Sequence, residues 1–254
     1  MRSDPGVTSF VPWALTHRTN DATPAPHLVT VAHGTRTAAG NEVARELTAA
    51  AARRLGWPAT TSYVELCAPS FADVVMEAAE FAAPTVAVPL LLSTGYHLRQ
   101  DLPAAVGGAG RDDVHLGRAL GPDRLLAVAQ VDRLHAAGAR PGQPVVMVAA
   151  GSNDPAATAD LAAAAHLLGQ AWGAPVRLAT LAGRGLRPDE VVRPGDAVSP
   201  YLLATGHFHR RARRDAYAAG AQVVADVLGA HPRVVDLVVE RARALARAAT
   251  RISA

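Results

Sequence analysis

The chain has 254 residues, half of them hydrophobic and only 4% aromatic, which is enough for two modest domains with Ala-, Val- and Leu-rich cores. Its net charge of +3 is too small to indicate a nucleic-acid-binding protein, and all 25 basic side chains are arginine. The single cysteine, Cys67, excludes an internal disulfide and favours the cytoplasm, and no apolar run approaches the roughly 20 residues of a membrane helix.

The elements predicted along the first half of the chain alternate between strands and helices. Residues 1–27 contain no long apolar segment and are predicted to form a flexible N-terminal arm. Short apolar runs closed by small polar residues are typical of buried strands, and residues 86–101 give the clearest case. The predicted elements are strand 28–32, helix 41–54, strand 60–66, helix 68–81, strand 85–92, strand 114–116 and helix 122–137.

A second half repeats this order after residues 138–143, which have the composition of a linker. Its predicted elements are strand 144–149, helix 155–172, strand 176–181, strand 197–203, strand 222–227 and helix 232–249. Three sequence blocks match in the same order, and the paired positions include Gly34 and Gly151, Gly95 and Gly206, and Gly121 and Gly229. Internal duplication explains this pattern.

Strands that alternate with helices at this spacing indicate parallel βαβ units with helices on both faces of the sheet. We therefore predict an α/β protein made of two tandem flavodoxin-like halves that face each other. The N-terminal half is predicted at 28–138 and a degenerate C-terminal half at 144–249. The expected molecule is a monomer with pseudo-twofold halves.

Three side chains suited to metal or proton chemistry follow successive predicted strands of the first half. They are His33, Glu65 and His97. Ligands of open parallel sheets lie beyond the carboxyl ends of the strands, so we expect the three to converge on one edge. Imidazoles bind Fe, Co, Ni and Zn and accept protons near neutral pH, and a carboxylate can orient an imidazole or take a proton.

The second half lacks this set of side chains. Ala150 stands where His33 stands, Thr180 near the place of Glu65, and Phe208 at the place of His97. His207 and His209 flank Phe208, and the sequence leaves open whether they face the cleft or are exposed loop residues. We therefore predict one site on the first half, with the second half as a wall.

Arginines cluster just after the candidate histidines of both halves. The sequence leaves two roles open: a solvated basic face, or a rim that binds carboxylates through paired hydrogen bonds. These residues are Arg36, Arg99, Arg210, Arg211, Arg213 and Arg214.

Four motifs together resemble those of the sirohydrochlorin chelatases of the CbiX/SirB type (class II chelatases). They are VAHGTR at 31–36, VELCAPSFADVV at 64–75, VPLLLSTGYHLRQDLP at 88–103 and ALGPD at 119–123. The resemblance covers nearly all of residues 28–248. It implies a pair of chelatase halves around a cleft, in agreement with the duplication.

The resemblance also implies roles for individual residues. By its position in the HG motif, His33 would be a metal ligand and the proton acceptor, and His97 would be the second metal ligand. Independently of the resemblance, the place of Glu65 at a strand end predicts that it completes the catalytic set. The resemblance further implies that one loop lines the tetrapyrrole, formed by Leu92, Ser93, Thr94, Gly95 and Tyr96. From their positions near the cleft, we predict that four more side chains contact the tetrapyrrole: Arg99, His207, His209 and Arg210.

The activity that the resemblance implies is ATP-independent insertion of Fe(II) or Co(II) into sirohydrochlorin, a lyase reaction that leads to siroheme or cobalamin. The metal would be a substrate, and no permanently bound cofactor is expected. One alternative is a carrier that holds a tetrapyrrole or metal without turnover. The other is a histidine phosphatase, because AHGTR is similar to an RHG motif, although Ala32 replaces the arginine.

Overall fold

The computed structural model describes residues 24–78 and 83–252. Most of the predicted N-terminal arm, and residues 79–82 at the end of the second predicted helix, lie outside this range. The described chain forms two four-stranded parallel sheets, with strand orders β2-β1-β3-β4 and β6-β5-β7-β8. The predicted α/β fold of two tandem halves is confirmed. Within the described residues, no helix has both the length and the apolar character that crossing a membrane would require.

The described part of the first half alternates strands and helices as the sequence predicts. Its strands are β1 His27–Ala32, β2 Ala59–Tyr63, β3 Thr85–Pro89 and β4 Val114–Leu116. Its helices are α1 Ala38–Leu55, α2 Phe71–Glu77, α3 Leu102–Gly108 and α4 Arg124–Ala136. A π-helical turn, His97–Asp101, leads directly into α3.

The second half has the same order, and its last two helices are longer than their counterparts in the first half. Its strands are β5 Val145–Ala149, β6 Val176–Thr180, β7 Ala197–Tyr201 and β8 Val223–Val224. Its helices are α5 Pro155–Trp172, α6 Pro188–Val191, α7 His207–Ala218 and α8 Pro232–Ile252. The helices α1 and α5 match in length, and each ends at a glycine in the left-handed conformation, Gly56 and Gly173.

The last helix of each half packs against the other half. Helix α8 contacts α1, β3 and β4, whereas α4 contacts α5 and β7. One apolar core consequently runs through both halves, and it includes Leu28 and Leu47 together with Met147, Leu168 and Leu237. The outer faces of the two sheets have separate cores, formed with α2 and α3 in the first half and with α6 and α7 in the second.

Most predicted strands are longer than the strands of the structure, and three differences are the largest. The strand predicted at 60–66 ends at Tyr63, the one at 85–92 ends at Pro89, and the one at 222–227 shrinks to Val223–Val224. Residues 90–92 line a cleft between the halves. Leu90 and Leu91 also keep single backbone hydrogen bonds to the neighbouring segments, to Val31 and from Leu120. An apolar run alone does not distinguish residues that line a cleft from residues that pair in a sheet.

The segments predicted as histidine loops are helical. His97 is the first residue of the π-helical turn, and His207 is the first residue of α7. Helix α7 buries His209, Ala212 and Ala216 and no large apolar side chain, so it lacks the large apolar residues that mark the buried face of a helix in the sequence. The helix α6 lies between β6 and β7, where the sequence predicts no element.

Candidate metal centre

The structure brings the three candidate ligands together at the carboxyl edge of the first sheet. One ligand atom from each of His33, Glu65 and His97 lies within 4.8 Å of the others. Nε2 of His33 is 3.5 Å from Oε1 of Glu65, and the two imidazole rings are perpendicular with centroids 4.8 Å apart. In residues 24–78 and 83–252 this is the one group of three or more such side chains that could hold a metal ion.

The backbone after β1 and β2 places His33 beside Glu65. The ladder continues past the strand ends, since the N–H of Glu65 donates to the carbonyl of His33 at 3.1 Å. Gly34 follows with a φ of 93°, and a Cβ at this position would lie 1.9 Å from the carbonyl oxygen of Glu65. Only glycine fits this close approach, so Gly34 fixes the spacing between the two side chains.

Asp101 orients the imidazole of His97. Its Oδ2 lies 2.6 Å from Nδ1 of His97, and the π-helical turn closes where the N–H of Leu102 donates to the carbonyl of His97. A carboxylate at this place accepts best from an Nδ1–H, so the contact favours the tautomer that leaves the lone pair of Nε2 for a metal or a proton. Asp101 was absent from the predicted site, although its place four residues after His97 was a usable signal.

Replacing Asp101 with alanine is expected to weaken metal binding by about ten- to hundredfold, the usual cost of removing a carboxylate that orients a metal-binding histidine. Calorimetric titration of the purified protein with Co(II) measures the dissociation constant. Gln100→Ala is the matched control, because Gln100 is an exposed residue of the same turn. Equal dissociation constants for Asp101→Ala and Gln100→Ala would show that Asp101 has no such role.

A cleft of about 620 Å³ lies between the two halves, next to this cluster. His33 and His97 line it, whereas Glu65 does not. All five residues of the predicted loop line the cleft: Leu92, Ser93, Thr94, Gly95 and Tyr96. The opposite wall comes from the second half, including residues 149–152 and 201–209.

The register of the second sheet identifies the counterparts of the three ligands. The N–H of Ala182 donates to the carbonyl of Ala150, as the N–H of Glu65 does to His33. The counterpart of Glu65 is therefore Ala182. The expectation that Thr180 stands near the place of Glu65 is off by two residues, because Thr180 pairs with Ala149 at the end of β6.

The counterpart of His97 is Phe208, as the sequence predicts. Pro200 pairs with Val148 in the second sheet as Pro89 pairs with Val31 in the first, so the two strands leave their sheets in the same register. Phe208 has the place of His97 under this register. An aromatic ring at this position removes the second metal ligand from the second half.

Both histidines that flank Phe208 line the cleft, but in different environments. His207 is exposed in the first turn of α7. His209 is buried, and its Nε2 lies 3.7 Å from Oδ1 of Asp226. Burial lowers the pKa of His209.

The two arginines predicted to contact substrate lie outside the cleft lining. Arg99 is exposed, and its guanidinium is 3.4 Å from the Asp154 carboxylate. Arg210 is also exposed, in the first turn of α7. The other arginines of α7 include Arg211 and Arg214, which both pair with Asp215. None of these guanidinium groups belongs to the wall that surrounds the two ligand histidines.

Three exposed apolar or aromatic side chains line the cleft. The exposed fractions are 49% for Leu66, 68% for Tyr96 and 39% for Phe208. Large apolar side chains exposed next to a polar cluster are typical of ligand-binding sites. Leu66 and Phe208 were not predicted as site residues, although Leu66 directly follows Glu65 in the sequence.

Comparison with protein families gives one match, to the CbiX family, over residues 27–137 and 144–245. Solved structures with the same fold include SirB from Bacillus subtilis with Fe3+, at 24% identity and a TM-score of 0.77, covering 89% of this chain and 97% of that one. The sirohydrochlorin chelatase SirB from B. subtilis subspecies spizizenii in complex with cobalt has 22% identity and a TM-score of 0.75, covering 87% and 95%.

A third similar structure is CbiX, described as the terminal enzyme for biosynthesis of siroheme in denitrifying bacteria. It has 16% identity and a TM-score of 0.61, and the similarity covers 86% of this chain and 98% of that one. A comparison with curated protein sequences gave no match. At these identities the structural similarities establish the fold alone.

Proposed function

The chain belongs to the CbiX family, and from this premise we propose that it inserts Fe(II) or Co(II) into sirohydrochlorin. The observation that carries the proposal is the cluster of His33, Glu65 and His97 beside a cleft with an apolar wall. SirB of B. subtilis, which has the same fold, is a sirohydrochlorin chelatase. The reaction is a lyase reaction without ATP, and the metal ion is a substrate, not a resident cofactor.

His33, Glu65 and His97 hold the incoming ion with two imidazole nitrogens and one carboxylate. Ligands of this kind suit Fe(II) and Co(II) alike. Three protein ligands leave the other coordination positions of the ion free for water or for pyrrole nitrogens. The ion can therefore bind its first pyrrole nitrogens before it leaves the protein ligands. Because Asp101 holds Nδ1 of His97, that imidazole presents Nε2 in a fixed direction.

Metal insertion also releases two pyrrole N–H protons, one for each new pair of metal–nitrogen bonds. His33 and Glu65 take these protons as they release the ion to the pyrrole nitrogens, because the lone pairs that held the ion are then free. Nε2 of His33 and Oε1 of Glu65 are 3.5 Å apart, and both side chains are half exposed. The solvent accessibility lets both groups pass the protons to water. His33 thus combines metal binding with proton transfer, whereas His97 is mainly a ligand.

The cleft holds the macrocycle against the cluster. Tyr96, Leu66 and Phe208 offer apolar surface to its flat face. The anionic side chains of the tetrapyrrole extend toward the rim, where Arg99 and Arg210 are exposed to solvent and His207 and His209 complete the second-half wall. The pairing of Arg99 with Asp154 would open to admit a substrate carboxylate.

The proposal includes the organisation of the molecule. An N-terminal half at 28–138 carries the chemistry, and a C-terminal half at 144–249 forms the opposite wall. The chain acts as a monomer, because the two halves already enclose one complete site. We place this activity in the cytoplasm.

Multiple turnover is the expected result that tests this function. Under anaerobic conditions without ATP, sirohydrochlorin and Fe(II) or Co(II) in at least twentyfold excess over protein should be converted completely, at a rate proportional to protein concentration. The absorption spectrum of the tetrapyrrole reports the conversion, and a protein-free reaction corrects for spontaneous insertion. A carrier would instead stop after one equivalent, which would contradict the proposed activity.

A further inference from the structure

Two hydrogen bonds from the second half hold the loop formed by residues 92–96, which we call the cleft loop. The hydroxyl of Tyr201 donates to the carbonyl of Leu92 at 3.1 Å. The N–H of Thr94 donates to Oδ2 of Asp160 at 2.6 Å. The cleft loop joins β3 to the π-helical turn that begins at His97, so both bonds act on the segment that delivers the second metal ligand.

The surroundings of Tyr201 favour its hydroxyl as the donor of the hydrogen bond to Leu92. It ends β7 and is 2% exposed. Burial raises the pKa of the Tyr201 phenol far above its ordinary value, and the charges of Asp160 and Asp123 raise it further, so the hydroxyl stays protonated. Gly121 provides the space, because a Cβ there would lie 2.1 Å from the Tyr201 hydroxyl and 2.3 Å from the Leu92 carbonyl oxygen.

Asp160 lies in α5 and reaches the cleft loop from the opposite half. A hydrogen bond from a backbone N–H to an ionised carboxylate is shorter and stronger than one between neutral groups. Together, the bonds to Leu92 and Thr94 fix two points of the loop that are separated by one residue. That spacing restrains both the position and the direction of the chain before His97.

The pseudo-symmetry of the molecule shows that this restraint serves one loop only. In the first half, the counterpart of Asp160 in α1 is Val43, and the counterpart of Tyr201 after β3 is Leu90. Neither side chain can form a hydrogen bond. The matching loop of the second half instead rests on α1 by contact, with the carbonyl oxygen of Thr205 against Gly40. Leu203, the counterpart of Leu92, accepts from the N–H of Gly229 in its own half. Among the described residues, side-chain hydrogen bonds from the opposite half are therefore found for the loop that leads to the metal ligand.

We propose that Asp160 and Tyr201 are positioning residues for metal insertion, holding the cleft loop so that His97 meets His33 and Glu65. This inference rests on the proposed function of the same site. It assigns to the degenerate half a role in the chemistry of the first half, beyond that of a wall. Small displacements of a reacting group lower the rate of a reaction strongly. Loss of either hydrogen bond is therefore expected to slow metal insertion by displacing His97.

The variants that test this role are Asp160→Ala, Asp160→Asn and Tyr201→Phe. Asp160→Ala and Tyr201→Phe are expected to lower kcat for Co(II) insertion about tenfold or more, with a smaller change in KM, because a displaced His97 slows the transfer step. Asp160→Asn keeps an acceptor for the Thr94 N–H and is expected to recover most of the rate. Thr158→Ala, at an exposed position of the same helix, is the matched control.

A second measurement does not depend on turnover. Co(II) bound to the tetrapyrrole-free protein has an absorption spectrum that reports its coordination, and this spectrum should change in Asp160→Ala and Tyr201→Phe but not in Asp160→Asn or Thr158→Ala. Folded Asp160→Ala and Tyr201→Phe proteins with the wild-type spectrum and rate would overturn the inference. So would an Asp160→Asn protein as slow as Asp160→Ala. Wild-type protein that binds Co(II) but never inserts it would contradict the proposed function instead, and the spectra would still test the restraint.

Discussion

His33→Ala and His97→Ala are each expected to lower kcat for Fe(II) or Co(II) insertion by about a hundredfold or more, in the range that loss of an acid–base group costs. Each substitution removes an imidazole from the one cluster of candidate ligands in the described residues. His33→Ala also removes a proton acceptor that lies 3.5 Å from Glu65. The measurement is anaerobic insertion into sirohydrochlorin, followed by absorption.

The controls for this experiment lie in the second half. His207→Ala and His209→Ala should cost much less, because the counterparts of the three ligands there are Ala150, Ala182 and Phe208. His209 is buried, so its variant needs a check of folding by circular dichroism. If His33→Ala were active and the two second-half variants inactive, the site would belong to the other half.

Gly34→Ala is expected to lower the free energy of unfolding by about 2 to 5 kcal/mol, combining the cost of a left-handed backbone with that of overpacking. Its Cβ would lie 1.9 Å from the carbonyl oxygen of Glu65, at a φ of 93°. The backbone of Glu65 would have to move, and the spacing between His33 and Glu65 with it. We therefore expect metal insertion to be lost even at temperatures where the variant is folded. Urea unfolding measures the stability.

Two other glycines separate these effects. Gly56→Ala changes a residue with a φ of 69° and nothing within 4 Å of the added Cβ, so only the backbone cost of about 1 to 2 kcal/mol is expected. Gly151→Ala meets the carbonyl oxygen of Ala182 at 2.0 Å and should destabilise the protein as much as Gly34→Ala. Gly151 lies in the cleft wall of the half without ligands, so its variant should lose much less metal insertion than Gly34→Ala where it is folded. Equal activity losses at Gly34 and Gly151 would contradict this assignment.

Much of the fold was predictable from local patterns. Apolar runs closed by small polar residues located most strands, and helix 155–172 was predicted with the bounds of α5. The duplication followed from three repeated blocks, and the sheet registers show the same pairing of Pro89 with Pro200. Convergence of His33, Glu65 and His97 was also predictable, because the ends of neighbouring parallel strands meet at one edge whatever the details of packing.

The sequence by itself thus determined the α/β class, the repeat and the three side chains that meet at the sheet edge. Only the tertiary structure decided that α4 and α8 each cover the sheet of the other half, and that Asp160 and Tyr201 reach the loop before His97. The physical reason is that periodicity specifies which face of an element is buried, but not which partner buries it. Partners are chosen by the packing of all apolar faces at once, across contacts that span more than sixty residues of chain, such as that of Thr94 with Asp160.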